Sequence, residues 1–113
     1  MKPIIPTIIK RIERKDFNLK WAYLRENKDG DWHPHTGEIR LHWNAPRPIQ
    51  VFIHEALHDL FPQASERWIW QRTYGVERRL TKRQREKILT FLRRTMPKKS
   101  ARYTRTYIDN PVN

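Results

Sequence analysis

Residues 48–61 read PIQVFIHEALHDLF, and the rest of the chain is read outward from them. At about 100° per residue, Ile49, Phe52, Ile53, Ala56, Leu57 and Leu60 recur at i, i+3, i+4, i+7, i+8 and i+11, the spacing of a stripe facing a core. The segment is therefore predicted to be an amphipathic helix. Pro48 suits its first turn and Pro62 stops it. His54 and His58 stand four residues apart on the side away from the stripe, so their imidazoles rise next to one another and can share one ion. Glu55 flanks them. In the pattern His-Glu-x-x-His, two neutral imidazoles hold zinc while the intervening carboxylate takes a proton from the activated water and passes it to the leaving amine. The plainer alternative is the solvated face of an ordinary amphipathic helix that happens to carry two histidines and a glutamate.

Upstream, Phe17, Leu19, Trp21 and Tyr23 alternate with Asn18, Lys20, Ala22 and Leu24, which predicts a strand over 16–26 with one face on a core. Asn27-Lys28-Asp29-Gly30-Asp31 is turn chemistry, prolonged as a loop through Trp32, His33, Pro34, His35, Thr36 and Gly37. Ile39, Leu41 and Trp43 alternate with Glu38, Arg40 and His42, a second strand over 38–43. Residues 1–7 carry two prolines and read as an extended lead-in, after which Ile8, Ile9 and Ile12 form either a helical turn or a first strand. Downstream, Ser65 is the expected N-cap of a second helix whose apolar side includes Trp68 and Ile69, with Gly75 ending or interrupting it. Thr81 and Gln84 form a capping box that opens a third helix, with Ile88, Leu89, Phe91 and Leu92 on its buried side and its end near Thr95. The expected fold is α+β: a small antiparallel sheet packed on the motif helix with two further helices, one domain over 1–97, and a basic tail over 98–113.

At 113 residues the chain can bury one modest core. It has no cysteine, so disulfides and thiolate metal sites are excluded and any metal must be held by histidine and carboxylate. The apolar part of the N-terminal stretch is too short and too broken by proline for a secretory signal, and no run reaches the length of a membrane span. The expectation is a soluble cytoplasmic protein without a membrane partner.

A catalytic zinc takes three protein ligands and keeps one position open, so a third donor is needed outside the helix. Glu66 is the leading candidate: it opens the next helix after a tight turn, where an antiparallel return could bring it to the imidazoles, although acidic residues are also favoured there by the helix dipole. Glu77 is the alternative from later in the chain. Asp59 is too near in sequence to bend round, His33 and His35 flank a proline in the loop, and His42 lies on the polar face of the second strand.

The order strand, strand, His-Glu-x-x-His helix, tight turn and Ser-Glu helix resembles a minimal zincin metallopeptidase of the gluzincin type, in particular the small phage and prophage proteins with an HExLHxLF segment and Ser-Glu opening the next helix. Here that segment is IHEALHDLFPQASERW. The resemblance covers roughly residues 16–80. It implies that His54, His58 and Glu66 bind Zn2+, that Glu55 is the general base, that the strand over 38–43 lines the substrate cleft, and that the substrate is a protein or peptide. The basic third helix and the tail have no counterpart in that pattern.

Lysine and arginine number 24 against 12 acidic residues, for a formal net charge of +12. Most of the excess lies between residues 78 and 105, where Arg78, Arg79, Lys82, Arg83, Arg85, Lys87, Arg93, Arg94, Lys98, Lys99, Arg102 and Arg105 face only Glu86. With Tyr103 and Tyr107 in the tail, this pattern suits phosphate-backbone binding with some base stacking; a solvated charged face is the plain alternative. The second function class is thus a basic nucleic-acid-binding module with a structural zinc or none, and no hydrolysis.

Overall fold

The computed structural model describes residues 3–25 and 27–96. Within them are four helices and one three-stranded sheet: α1 (Ile4–Glu13), β1 (Asn18–Ala22), β2 (Gly30–His33), β3 (Glu38–His42), α2 (Pro48–Leu60), α3 (Glu66–Arg79) and α4 (Lys82–Thr95). The α+β class stands. The expected basic tail over 98–113 falls outside the described residues.

The sheet is mixed rather than antiparallel. Its order is β1-β3-β2, with β1 parallel to β3 and β2 antiparallel to it. The physical reason is the segment that the turn residues disguised as loop. Gly30 to His33 is extended and pairs with β3 (Trp32 opposite Ile39), and the chain reverses only at Pro34–Gly37, where Gly37 takes the positive φ (71°) that a residue without Cβ adopts freely. A third strand between the two expected ones reverses the direction once more, so β1 and β3 run the same way. β3 is the central strand, and Ile39 and Leu41 on its inner face are fully buried.

The N-terminal stretch is a helix and not a strand. Ile5, Ile8, Ile9 and Ile12 repeat at the i, i+3, i+4, i+7 spacing, and Ile8, Ile9 and Ile12 are buried on the core. Pro6 lies in the first turn of α1, where its missing N–H costs no helical hydrogen bond, so the proline punctuation does not break the helix. Gly75 likewise leaves α3 continuous through to Arg79.

Everything is arranged around α2. From Phe52 to Leu57 each of its residues is buried, because β2 and β3 cover one side while α3 and α4 cover another. Phe52 meets Phe17, just ahead of β1, edge-on (5.3 Å between centroids) and Phe91 of α4 (5.5 Å), joining α2, α4 and the approach to the sheet in one core. The two later helices begin as their sequences dictate. Ser65 Oγ accepts from the Trp68 N–H at 3.1 Å, and Thr81 and Gln84 exchange the two bonds of a capping box. The early start of α3 at Ser65 returns that helix against α2 with its first residue level with the motif histidines. Among the described residues no helix is long and apolar enough to cross a membrane.

Candidate metal centre

Helices α2 and α3 meet along matching rows. Gln50, His54 and His58 recur every four residues on α2, and Glu66, Trp70, Thr73 and Glu77 recur at helical spacing on α3. The rows run antiparallel. His58 Nε2 lies 3.0 Å from Glu66 Oε2, His54 Nε2 lies 2.7 Å from Glu66 Oε1, His54 Nδ1 faces Thr73, and Gln50 donates to Glu77 at 2.9 Å. The expected third donor, Glu66, therefore joins the two histidines, and His54, His58 and Glu66 form a group that could hold a metal ion, with ligand atoms all within 4.8 Å of one another. Glu77 is taken by Gln50. Asp59 serves a different purpose, accepting from the Trp32 indole N–H at 3.0 Å and pairing with Arg11 at 2.9 Å. His42 Nδ1 accepts from the Asn44 backbone N–H, and neither it nor His33 belongs to the group.

The plain alternative for the histidine face, a solvated one, is excluded by burial. His54 is 7% and Glu55 5% exposed, and the indoles of two tryptophans cover the imidazoles. Trp32 of β2 stacks nearly parallel on His58 (5.8 Å, 11°), and Trp70 of α3 packs on His54 (4.1 Å). Burial holds His54 below its ordinary pKa of 6.5, against the pull of Glu66, so the ring is neutral at physiological pH.

Thr73 lies on the far side of that ring. Its hydroxyl donates to the Ile69 carbonyl at 2.7 Å, one turn back in α3, and stands 3.4 Å from His54 Nδ1, where it can accept from Nδ1–H. Nε2 faces Glu66 Oε1 at 2.7 Å, and the tautomer decides what joins them: Nε2–H donates to the carboxylate, or, with the proton on Nδ1, both atoms offer lone pairs to a shared cation. The donor set fits a metal.

Glu55 does not join the ligand group. Its Oε1 approaches His54 Nε2 only to 3.7 Å, and its Oε2 is buried with no hydrogen-bond partner among the described residues. Burial first, then the neighbouring Glu66 and Asp31, push its pKa up to about 8. A carboxyl with its pKa raised in this way exchanges its proton close to neutral pH.

These groups open on a cleft of about 490 Å3 whose walls include Gly30, Asp31 and Trp32 of β2 as well as Trp70. The strand along the cleft is therefore β2 and not the strand over 38–43, because β3 is paired on both sides and has no free edge. Arg40 of β3 fixes Asp31 by a two-pronged contact, Nε to Oδ1 at 2.8 Å, which holds the Asp31 carboxyl below its usual range. Gly30 lets β2 sit close on the helix: a Cβ there would fall 2.5 Å from Val51 Cγ1. Of the residues the sequence reading passed over, Trp70 and Thr73 share the helical row of Glu66 and could have been found from that spacing; Trp32 was hidden among turn residues.

The cations of the C-terminal third do not form one surface. Arg78, Arg79, Lys82, Arg83, Arg93 and Arg94 are exposed and Arg85 is half-buried, while Lys98, Lys99 and Arg102 lie outside the described residues. No protein-family model, no curated protein and no solved structure matches this chain.

Proposed function

We propose that the protein is a zinc-dependent peptidase in which His54, His58 and Glu66 hold Zn2+ and Glu55 is the general base. The observation that carries this reading is the convergence of two imidazole nitrogens and one carboxylate within 4.8 Å, with a second, buried carboxyl, that of Glu55, beside them. Two nitrogen donors and one oxygen donor, with cysteine absent, favour zinc over the all-oxygen cations magnesium and calcium. Bound in such a site, zinc acts as a Lewis acid on a carbonyl and lowers the pKa of water.

The chain's own residues supply the rest. Glu55, whose carboxylate form a bound cation would favour, would accept a proton from the attacking water at one carboxylate oxygen and return it to the amine that leaves as the C–N bond breaks. Burial by Trp32 and Trp70 excludes bulk water and strengthens the local electrostatics. The outer edge of β2 is unpaired in the sheet and borders the cleft, where an extended peptide could add as a further strand. The chemistry needs no disulfide and the chain has no cysteine, which accords with a cytoplasmic setting.

Glu55→Gln tests this reading. The amide fits the same space but accepts no proton, so zinc content and fold should persist while hydrolysis of an unfolded protein substrate drops by roughly a hundredfold or more. Undiminished hydrolysis would remove Glu55 from its role. The second reading, a nucleic-acid-binding module without hydrolysis, is favoured by the exposed cations of α3 and α4. It requires that wild-type protein cleave no peptide bond under conditions where it binds nucleic acid.

A further inference from the structure

Cations that are contiguous in the sequence separate on folding into two grooves. Lys15, Arg83, Lys87 and Arg94 line one between α1 and α4 together with Glu13 and Glu86, and Lys87 pairs with Glu13 at 3.2 Å. Arg78 and Arg85 line a different groove, of about 640 Å3, together with Arg47 at the start of α2 and Tyr74. The acid there, Glu77, is already engaged by Gln50, and one guanidinium nitrogen of Arg85 is buried with no acceptor among the described residues.

Tyr74 lines this groove and Trp70 the neighbouring cleft. Tyr74 is 50% and Trp70 37% exposed, two of the three large hydrophobic side chains left exposed among the described residues. They stand one helical turn apart on α3 with their rings stacked (5.5 Å between centroids, 26° between planes). Trp70 also borders the metal cleft, and Arg47 and Gln50 line both grooves, so one track runs from the metal centre past Trp70 and Tyr74 to Arg78 and Arg85.

We propose that this track binds single-stranded nucleic acid, a base stacking on Tyr74, whose ring is backed by Trp70, and its phosphates meeting Arg47, Arg78 and Arg85. Stacked, solvent-facing rings interleaved with guanidinium groups match a strand that alternates flat apolar bases with anionic phosphates, and the rings accept any base because every base has a π-face. A duplex fits less well, since its base faces are already covered by their neighbours. The site lies beside the proposed peptidase centre and does not depend on it.

The test uses the full chain and fluorescence anisotropy with a labelled oligothymidylate of about a dozen nucleotides, a length within the usual site size, and a duplex of equal length. The single strand should bind more tightly than the duplex, and chelation of metal should leave that binding unchanged. Tyr74→Ala should weaken it by roughly 5- to 150-fold, the range for loss of one stacked base, whereas Tyr74→Phe should preserve it. Arg78→Gln should lower the slope of log affinity against log salt by about 0.7. The double variant Arg83→Gln, Arg94→Gln, on the other groove, should weaken binding less than Arg78→Gln with Arg85→Gln. Tyr74 is half in solvent, so its variants keep the fold; Trp70 is left intact because it packs on His54. Equal binding of duplex and single strand with Tyr74→Ala inert would overturn the proposal in favour of diffuse electrostatics. Absence of oligonucleotide binding at low salt, together with Tyr74-dependent binding of an acidic aromatic peptide, would overturn it in favour of a protein partner.

Discussion

Replacing Thr73 by valine should weaken zinc binding although Thr73 touches no proposed ligand position on the metal side. Its hydroxyl donates to the Ile69 carbonyl and stands 3.4 Å from His54 Nδ1, and the side chain is fully buried. With Nε2 on zinc, as proposed, His54 carries its proton on Nδ1 and Thr73 is the acceptor within reach. Valine fills nearly the same volume but leaves Nδ1–H without an acceptor, which favours the tautomer whose Nε2–H donates to Glu66 Oε1 at 2.7 Å. That tautomer withdraws the lone pair the proposed zinc site needs. Loss of such an orienting partner costs about ten- to a hundredfold in metal affinity, equivalent to roughly 1.4 to 2.7 kcal/mol. The Ile69 carbonyl keeps its helical partner, so the stability of the metal-free fold should change by no more than about 1.5 kcal/mol, the worth of one hydrogen bond. Competition with a chromogenic chelator at neutral pH measures the affinity, and a urea melt in chelator measures the fold. Thr73→Ser, which keeps the hydroxyl, should bind zinc nearly as wild type does. If the valine variant binds zinc as tightly as wild type, the tautomer of His54 is not set by Thr73 and the assignment of Nε2 as a ligand loses its physical basis.

Gly75→Ala should stabilise the protein by about 0.5 to 1 kcal/mol, because α3 runs through this position and an added Cβ would meet nothing within 4 Å; an unchanged or lower urea midpoint would contradict the open helical environment. Acid stability should depend on Asp31. Its folded pKa lies below the ordinary 3.8, chiefly through the Arg40 hydrogen bond, so its contribution is present above pH 3.8 and disappears as pH falls through the lower folded value. Asp31→Asn should therefore flatten the acid limb of stability against pH, and an identical limb in both proteins would count against the pair.

How far the sequence could be read depended on whether one local pattern dominated. In α2 the apolar spacing, Pro48 and Pro62 all agree, and the helix spans the expected residues to within one. Ser65 and Thr81 carry their capping chemistry in the side chain itself, so both helix starts were legible. Residues 4–13 hold a helical stripe of isoleucines, but two prolines outweighed it until their position before and within the first turn was known. β2 was hidden for the converse reason: Gly30 and Asp31 are turn formers by habit, yet here Gly30 permits close contact with Val51 and Asp31 binds Arg40 across the strand pair. Such long-range partners leave no trace in local periodicity. Once β2 was missed, the sheet's parity and the strand beside the cleft were both misread.

At the site, the local part was legible and the supporting part was not. His54, Glu55 and His58 follow from spacing, and Glu66 from its place at the start of α3. The rings that cover His58 and His54 are Trp32 and Trp70, which arrive from a strand and from a second helix. The cations are a true excess, but their division between two grooves follows the two faces of α4, Arg85 on one and Arg83, Lys87 and Arg94 on the other, and not composition.

The proposed metallopeptidase rests most directly on the metal itself. Protein purified without added metal or chelator, measured by elemental analysis, should carry one zinc per chain. His58→Ala and Glu66→Ala should each lower that content sharply and remain folded by circular dichroism, while Glu55→Gln should retain it. Wild-type protein that holds no zinc, and takes up none at micromolar concentration on titration, would contradict the assignment of His54, His58 and Glu66 as ligands and the hydrolytic function built on them.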